Sequence, residues 1–349
     1  MPSTDTPIRV VIADDSLVAR EMLSQILSSD AGIEVVGQAT DGIEAVELVA
    51  RLRPDLVTMD IHMPHMDGLE ATERIMAFTP TPILVVSSSV YGEGMGRAFD
   101  ALNRGALEVI KKPEPREWAD LDRIGRELLR KVKILARVRV ITHVTGRRER
   151  RAAGGSWAPA AHAERTIVAI GSSTGGPSAL RGVFEALPAE FPAPVLVVQH
   201  IAEGFIPGLV AWLDAGCRIS VVVAEKGTVP QSGVVYLAPT GANMVLSRGR
   251  IDLVDPQPGQ LYVPSADTLF ESVGTEAGGA AVGALLTGMG ADGARGLASL
   301  HDRGALTIAQ DEDSCTVFGM PRAAIELGAV DEVLPLCAIG PAIADIFAS

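Results

Sequence analysis

The sequence predicts an α/β protein of two domains, each built on a parallel sheet with helices on both faces. Its 349 residues exceed the roughly 150 of a typical single domain, which favours two domains. In both halves of the chain, short β-branched runs alternate with stretches that have the three- and four-residue apolar spacing of helices, as in doubly wound sheets. A composition of 47% apolar and 21% charged residues excludes a disordered chain.

The first half contains five strand-like runs that alternate with helical patterns. The runs are IRVVIADD, IEVVGQAT, DLVTMD, PILVVSSS and ALEVIKKP. Their alternation with helices predicts a five-stranded parallel sheet over residues 1–113.

Polar residues end four of these runs. They are Asp14, Asp15, Asp60, Ser87 and Lys112. Each alone is most simply a polar group where a strand meets solvent, but parallel strands bring their carboxyl ends to one sheet edge, so we expect these groups to lie together. Clustered carboxylates repel one another unless a hard divalent cation such as Mg²⁺ binds them, and a lysine and a hydroxyl beside them are donors for phosphoryl oxygens. The joint pattern favours a phosphoryl site.

These residues, together with MDIHMPHMDG at 59–68 and the pair Lys112-Pro113, resemble response-regulator receiver domains over about residues 8–113. The resemblance implies a flavodoxin-like fold in which Asp60 accepts a phosphoryl group from a sensor histidine kinase, and Ser87 and Lys112 sense it. It also implies a set of Mg²⁺ ligands: Asp14, Asp15, Asp60 and the backbone carbonyl of His62.

Two positions depart from the receiver pattern. Val109 stands three residues before Lys112, where many receivers have an aromatic switch residue. His62, two residues after Asp60, is unusual for the family, and its effect on phosphoryl lifetime is left open.

Residues 114–165 predict an interdomain linker that begins with an amphipathic helix through Leu121, Leu128 and Leu135 and continues into GRRERRAAGGSWAPAA. The helix either belongs to the linker alone or packs between the domains. The RRERR run is either a solvated tether, which we favour, or a docking patch for an acidic partner. The net charge of −13 disfavours nucleic acid or an anionic membrane as the partner of the whole chain.

A second series of strands and helices occupies residues 166–349. Its first strand, TIVAI, leads through GSSTGGP into a helix. Such a Gly-rich turn presents N–H groups at a helix N-terminus, where it holds a phosphate or projects a nucleophilic serine. The turn lacks the lysine of a P-loop and does not complete G-x-G-x-x-G, which disfavours nucleotide binding.

A nucleophilic serine needs a base, and of the six histidines only His200 ends a strand of this second series, APVLVVQH. Asp292 follows another strand, in AVGALLTGMGADG. Singly, His200 is explained as a capping polar residue and Asp292 as part of an Asp-Gly turn. With a serine of the Gly-rich turn they form a Ser, His, Asp set, which is defined by geometry and not by chain order.

Six stretches of the second half are similar to the protein-glutamate methylesterase (CheB) family of bacterial chemotaxis. They are GSSTGGP, VVQHIAEGF, GVVYLAPTGANM, PSADTLFES, LLTGMGADGARGL and QDEDSCTVFGMPRAAIELGAVDEVLPL. The resemblance implies that Ser173, and not Ser172, is the nucleophile, that His200 is general base and then general acid, and that Asp292 orients it. Candidate oxyanion donors are the N–H groups of two residues: Thr174 and Met289.

The same resemblance implies a phosphorylation-activated hydrolase that cleaves glutamyl methyl esters and deamidates glutamines on methyl-accepting chemoreceptors. Its phosphodonor would be a sensor histidine kinase of the chemotaxis type, and its esterase site would need no cofactor. Two alternatives stay open: a phospho-regulated binding protein without turnover, and the same hydrolase acting on a receptor array outside chemotaxis.

The cysteine spacing, the N-terminal pattern and the lengths of the apolar runs predict the compartment. Cys217, Cys315 and Cys337 form no pair with the spacing of a metal or redox motif, which predicts a reducing compartment. The N-terminus lacks a signal-peptide pattern and no run is long enough to span a bilayer, so we expect a cytoplasmic protein without membrane insertion. We interpret Cys315 as a packing or cleft residue. Ile206 stands near a position where the family commonly has a threonine.

Overall fold

The computed structural model describes residues 6–87, 95–113, 121–138, 140 and 165–348. By its internal contacts the chain divides into two compact units, residues 1–150 and 151–349. Within the described ranges, no helix combines the length and the apolar character needed to cross a membrane. The RRERR run lies outside the described residues.

The first unit contains the predicted five-stranded sheet, and every strand pair in it is parallel. Its strands are β1 (Ile8–Ala13), β2 (Ile33–Ala39), β3 (Leu56–Met59), β4 (Ile83–Ser87) and β5 (Glu108–Lys111). Its helices are α1 (Leu17–Ser28), α2 (Gly42–Leu52), α3 (Gly68–Phe78), α4 (Met95–Asn103) and α5 (Leu121–Leu135). The strand order is β2-β1-β3-β4-β5, so the predicted α/β fold is confirmed.

The sequence determines where three of these helices begin. Ser16, Asp41 and Asp67 precede α1, α2 and α3, and each side chain accepts a hydrogen bond from the backbone N–H three residues later. These N-caps satisfy N–H groups that lack a partner within the helix. The first cap starts α1 directly after the two acids that end β1, which fixes the path of the chain at that sheet edge.

The strand order creates a topological switch point between β1 and β3. The chain leaves β1 to form β2 on one side and returns to form β3 on the other, with Ala13 paired to Met59. The acids that follow these strands, Asp14 and Asp60, therefore emerge side by side, as expected at the switch point of such a sheet.

Helix α5 corrects the assignment of this segment to the linker. Its side chains Leu128, Val132 and Leu135 are part of the hydrophobic core of the first unit. Lys131 on the same helix forms a buried ion pair with Glu108 on β5, with 2.8 Å between Nζ and Oε1. The sheet of the first unit thus covers the apolar stripe of α5, and the boundary that we predict at residue 113 leaves out a helix of this unit.

The second unit contains a seven-stranded sheet in the order β14-β13-β12-β6-β7-β9-β8, with parallel pairing throughout, and a separate antiparallel hairpin, β10-β11. The sheet strands are β6 (Ile167–Ser172), β7 (Val195–Gln199), β8 (Ser220–Val223), β9 (Val234–Leu237), β12 (Ala281–Leu285), β13 (Leu306–Gln310) and β14 (Glu332–Leu334). The hairpin strands are β10 (Asn243–Ser247) and β11 (Arg250–Val254).

In the described part of this unit, six α-helices flank the sheet and the hairpin. They are α6 (Gly176–Phe184), α7 (Ile206–Gly216), α8 (Ala266–Ala277), α9 (Ala294–His301), α10 (Met320–Glu326) and α11 (Leu336–Ala348). Phe270 of α8 and Leu297 of α9 are fully buried in the core beneath the sheet. The predicted doubly wound fold is confirmed for this unit as well.

Strand β6 lies between β7 and β12, and this order positions the site. Ser172 pairs with Gln199 of β7, and Gly171 pairs with Leu285 of β12. The loops that follow β6, β7 and β12 therefore emerge at one edge of the sheet, next to the switch point.

Candidate active site and acidic cluster

The three acids predicted at one edge of the first unit's sheet lie together. Carboxylate oxygens of Asp14, Asp15 and Asp60 are all within 4.8 Å of one another. Asp14 and Asp60 are 1% and 5% exposed, whereas Asp15 is exposed. The Nζ atom of Lys112 lies 2.7 Å from Oδ2 of Asp14 and 2.9 Å from Oδ2 of Asp60.

The electrostatics of this cluster fit a divalent cation. Burial raises the pKa of Asp60, and the Lys112 ammonium opposes that rise without cancelling it. Burial also disfavours the charge on Lys112, but the neighbouring Asp60 and Asp14 more than compensate and raise the pKa of its ammonium. One lysine balances one of three carboxylates, and an all-oxygen donor set of this kind is what Mg²⁺ prefers.

The other predicted receiver residues lie at or near the same edge. Ser87 ends β4, is fully buried, and its carbonyl accepts the backbone N–H of Lys112 at 2.9 Å. The side chain of His62 is exposed and that of Val109 is buried. Gly68 is required for the turn that follows Asp60, because a Cβ there would lie 1.9 Å from the carbonyl oxygen of Asp60.

The two serines of the second unit's Gly-rich turn have different environments. Ser172 is fully buried, and its hydroxyl donates to Oε1 of Gln199 at 2.6 Å. Ser173 is 9% exposed and begins the loop to α6, and its N–H donates to the carbonyl of Thr287 at 3.0 Å. The hydroxyl of Ser172 is thus committed to a structural bond, which favours Ser173 as the reactive serine.

His200 and Asp292 are brought together as predicted. Nε2 of His200 lies 2.9 Å from Oδ2 of Asp292. Nδ1 of His200 is buried and has no hydrogen-bond partner among the described residues. When Nε2 carries the proton toward Asp292, Nδ1 has the lone pair that a general base needs.

The carboxylate of Asp292 is held at the N-terminus of α8. Oδ1 accepts the hydroxyl of Ser265, the N-cap of that helix, at 2.7 Å, and Oδ2 accepts the backbone N–H of Ala266 at 2.7 Å. Burial alone would raise the pKa of Asp292, but the hydrogen bonds from His200, Ser265 and Ala266 and the charge of His200 outweigh it and lower the pKa. The group therefore stays ionised beside the imidazole.

The oxyanion candidates lie on two segments close to Ser173. Thr174 follows it directly, in the turn that precedes the N-cap of α6. Met289 follows Gly288, where an added Cβ would lie 2.7 Å from Cβ of Ser173 and 2.3 Å from Sδ of Met320. Only a glycine lets the chain pass this close, so the segment that carries the Met289 N–H runs directly beside Ser173. The donor roles of Thr174 and Met289 stay predictions.

Gln199 is a site residue that the sequence analysis missed. It is 1% exposed, accepts the hydroxyl of Ser172, and donates through Nε2 to the carbonyls of Ser173 and His200 at 2.8 and 2.9 Å. It thus joins the serine loop to the histidine loop. A polar residue at the end of an otherwise apolar buried strand, directly before His200, is the signal that marks it.

Two further residues touch the His-Asp pair without having been predicted. Ser265 bonds Asp292 as described, and the ring of Tyr262 stacks on the imidazole of His200. Both belong to the stretch LYVPSAD, which enters α8, and Ser265 has the sequence signature of an N-cap.

The surroundings of Cys315 and Ile206 favour packing roles for both residues. Burial, with Asp311 nearby, raises the pKa of the Cys315 thiol to about 12, so it stays protonated at neutral pH and is a poor nucleophile. Ile206 begins α7 and is 3% exposed.

Comparison with known proteins assigns both units. Residues 168–343 match the family model for CheB methylesterase, and residues 10–120 match the response regulator receiver domain. A protein-glutamate methylesterase/protein-glutamine glutaminase of Anaeromyxobacter dehalogenans is 47% identical over 342 residues, which is 98% of each chain. A protein of the same name from Nitrosospira multiformis is 42% identical over 98% of this chain and 97% of its own.

The CheB methylesterase catalytic domain of Thermotoga maritima, known from its crystal structure, is 34% identical to the matching region, with a TM-score of 0.50. The alignment covers 53% of this chain and 100% of that domain. Along this chain the receiver match therefore precedes the methylesterase match, and together they cover both units. The chain belongs to the CheB methylesterase family and carries a response-regulator receiver domain at its N-terminus.

Proposed function

We propose that this chain is a phosphorylation-activated protein-glutamate methylesterase and protein-glutamine glutaminase that acts on methyl-accepting chemoreceptors in the cytoplasm during chemotactic adaptation. The observation that carries the proposal is the His200–Asp292 pair, with Nδ1 of His200 free of other partners in the described structure, at the sheet edge where Ser173 lies.

The reaction is an acyl transfer in two halves. Ser173 Oγ attacks the side-chain carbonyl of the glutamyl ester while His200 Nδ1 takes its proton. The tetrahedral intermediate expels methanol, which receives that proton, and leaves an acyl-enzyme. Water then attacks with His200 again as base, releasing the glutamate and restoring Ser173. For a glutamine side chain, ammonia leaves in place of methanol.

Two features lower the barrier of each half-reaction. The ionised Asp292 stabilises the imidazolium that forms on His200 and fixes its tautomer. N–H groups of Thr174 and Met289 would bind the developing oxyanion, and one such donor is typically worth about 3 kcal/mol in the barrier. These steps use side chains and backbone of the second unit alone.

The receiver supplies the control. Asp60 would accept a phosphoryl group from a chemotaxis-type sensor histidine kinase, and Lys112 and Ser87 would contact its oxygens. Asp14, Asp15, Asp60 and the His62 carbonyl would hold Mg²⁺, which neutralises phosphoryl charge when bound. The charge imbalance of the cluster supports this assignment, because Lys112 balances only one of its three carboxylates.

The proposal is tested by peptide mass spectrometry of methylated receptors from the same organism after incubation with the enzyme and a small phosphodonor. Hydrolysis of a methyl ester lowers a receptor peptide by about 14 Da, and deamidation of glutamine raises it by about 1 Da. We expect both changes with the wild type and neither with Ser173→Ala.

Ser172→Ala is the matched control. It removes the hydroxyl of the adjacent serine, which bonds Gln199, and should keep turnover while lowering thermal stability. Intact receptor peptides with the wild-type enzyme would refute the proposal and favour a binding role. Loss of turnover in Ser172→Ala with full turnover in Ser173→Ala would identify Ser172 as the nucleophile instead of Ser173.

A further inference from the structure

Tyr262 packs on the imidazole at the centre of the proposed triad. The two rings are nearly parallel, at 10°, with 4.8 Å between their centroids. The hydroxyl of Tyr262 lies against Gly290, where an added Cβ would be 2.6 Å from it. Tyr262 therefore touches both the base and the segment that carries a candidate oxyanion donor.

The loop that carries Tyr262 is held by a pair of side-chain amides. Asn243, at the start of β10 and almost fully buried, donates through Nδ2 to Oε1 of Gln260 at 2.9 Å and accepts from Nε2 of Gln260 at 3.2 Å. Oδ1 of Asn243 also accepts the N–H of Ser265 at 2.9 Å. The loop is thus tied to the same residue that bonds Asp292, so Tyr262 is positioned by the framework of the triad.

The hydrogen bond to Asp292 does not by itself fix the imidazole. The imidazole turns about its Cβ–Cγ bond, and a single hydrogen bond at Nε2 limits this rotation only loosely. Nδ1 must point at the Ser173 hydroxyl for proton transfer, and small misplacements of a base are costly in rate. An aromatic ring parallel to the imidazole restricts this rotation and excludes water from one face.

We infer that Tyr262 is a positioning residue for His200: its stacked ring holds the imidazole plane so that Nδ1 faces Ser173, and its π-face stabilises the imidazolium formed during the reaction. The inference rests on the proposed function, because it assigns a role within the same triad. The ring carries the role, and the hydroxyl does not.

The decisive variants are Tyr262→Leu and Tyr262→Phe. Leucine keeps apolar volume at the site but removes the aromatic face, whereas phenylalanine keeps the face and removes the hydroxyl. Loss of one aromatic and cation–π contact should lower kcat about tenfold in Tyr262→Leu and change KM less than about twofold. Tyr262→Phe should stay within about twofold of the wild type in both constants.

Leu261→Ala is a control for the loop itself. Leu261 is the neighbouring residue, and its side chain is 89% exposed, so its removal should leave kcat unchanged. NMR of the histidine ring protons gives a second readout that needs no substrate. His200 signals should lose the ring-current shift of the stacked tyrosine in Tyr262→Leu and keep it in Tyr262→Phe.

The outcomes separate this inference from the proposed function. If the wild type turns over and kcat is unchanged in Tyr262→Leu, the role of Tyr262 is overturned and the proposed function stands. The same conclusion follows if kcat falls as much in Tyr262→Phe as in Tyr262→Leu. If the wild type shows the ring-current shift but hydrolyses no receptor ester, the proposed function fails and the role in catalysis fails with it. A tenfold loss in kcat that phenylalanine restores would support the inference.

Discussion

Replacement of Asp292 by asparagine tests the electrostatic part of the site. Oδ2 of Asp292 accepts hydrogen bonds from Nε2 of His200 and from the backbone N–H of Ala266. Both are donors, so the amide oxygen of asparagine should take this position, and its NH₂ should face Ser265 and the N–H of Asp267, which lies 3.3 Å from Oδ1. Asp292→Asn therefore keeps the shape and the imidazole tautomer and removes the charge.

The size of the effect follows from the 2.9 Å separation of Nε2 and Oδ2. With an effective dielectric constant of about 20, two unit charges at this distance attract by about 6 kcal/mol. Loss of most of this attraction in the transition state predicts a fall in kcat of roughly 1,000- to 10,000-fold, or about 4–5.5 kcal/mol. KM should change little, because the charge of Asp292 acts mainly on the imidazolium that forms in the transition state.

A matched control is available in Asp267→Asn. Asp267 is a buried carboxylate that accepts the N–H of Gly296 near the start of α9 and an Arg295 guanidinium. Each variant removes a charge at a helix N-terminus and should lower the free energy of unfolding by about 1–2 kcal/mol. Only Asp292→Asn should lose turnover in a steady-state methanol-release assay. An Asp292→Asn enzyme with more than a tenth of the wild-type kcat would refute the reasoning.

Three further changes test other parts of the account. Asp60→Asn should abolish stimulation of turnover by a phosphodonor, and stimulation that survives would remove Asp60 as the acceptor. Gly176→Ala would place a Cβ 1.9 Å from Oε1 of Gln199. It should displace that buried amide, lower the melting temperature, and reduce kcat at least about tenfold. A variant with wild-type melting temperature and kcat would show that the hydrogen bonds of Gln199 are dispensable. Cys315→Ala should keep full turnover, since the thiol stays protonated, and an inactive but folded variant would reopen the choice of nucleophile.

The sequence predicted well those residues whose place at the end of a strand determines where they lie in the fold. In a parallel sheet every strand end lies at one edge, so Asp14 and Asp60, or Ser173 and His200, could be placed near one another without knowledge of side-chain geometry. The strand-ending polar residues therefore indicated which groups to expect at each sheet edge.

The parts that were missed depend on contacts between segments distant in sequence. The apolar stripe of α5 predicts a helix but does not say which sheet covers it, and in the structure it belongs to the receiver core. Gln199 and Tyr262 act through hydrogen bonds and ring stacking between loops. The position of Gln199 before His200 marks it as a buried polar residue, but no spacing in the sequence identifies its partners or those of Tyr262.

The most direct test of the central claim is methanol release from methylated chemoreceptor membranes with and without a small phosphodonor and Mg²⁺. We expect release that depends on Ser173 and increases with the phosphodonor. Release that persists in Ser173→Ala, or the absence of release from receptors of the same organism, would contradict the account.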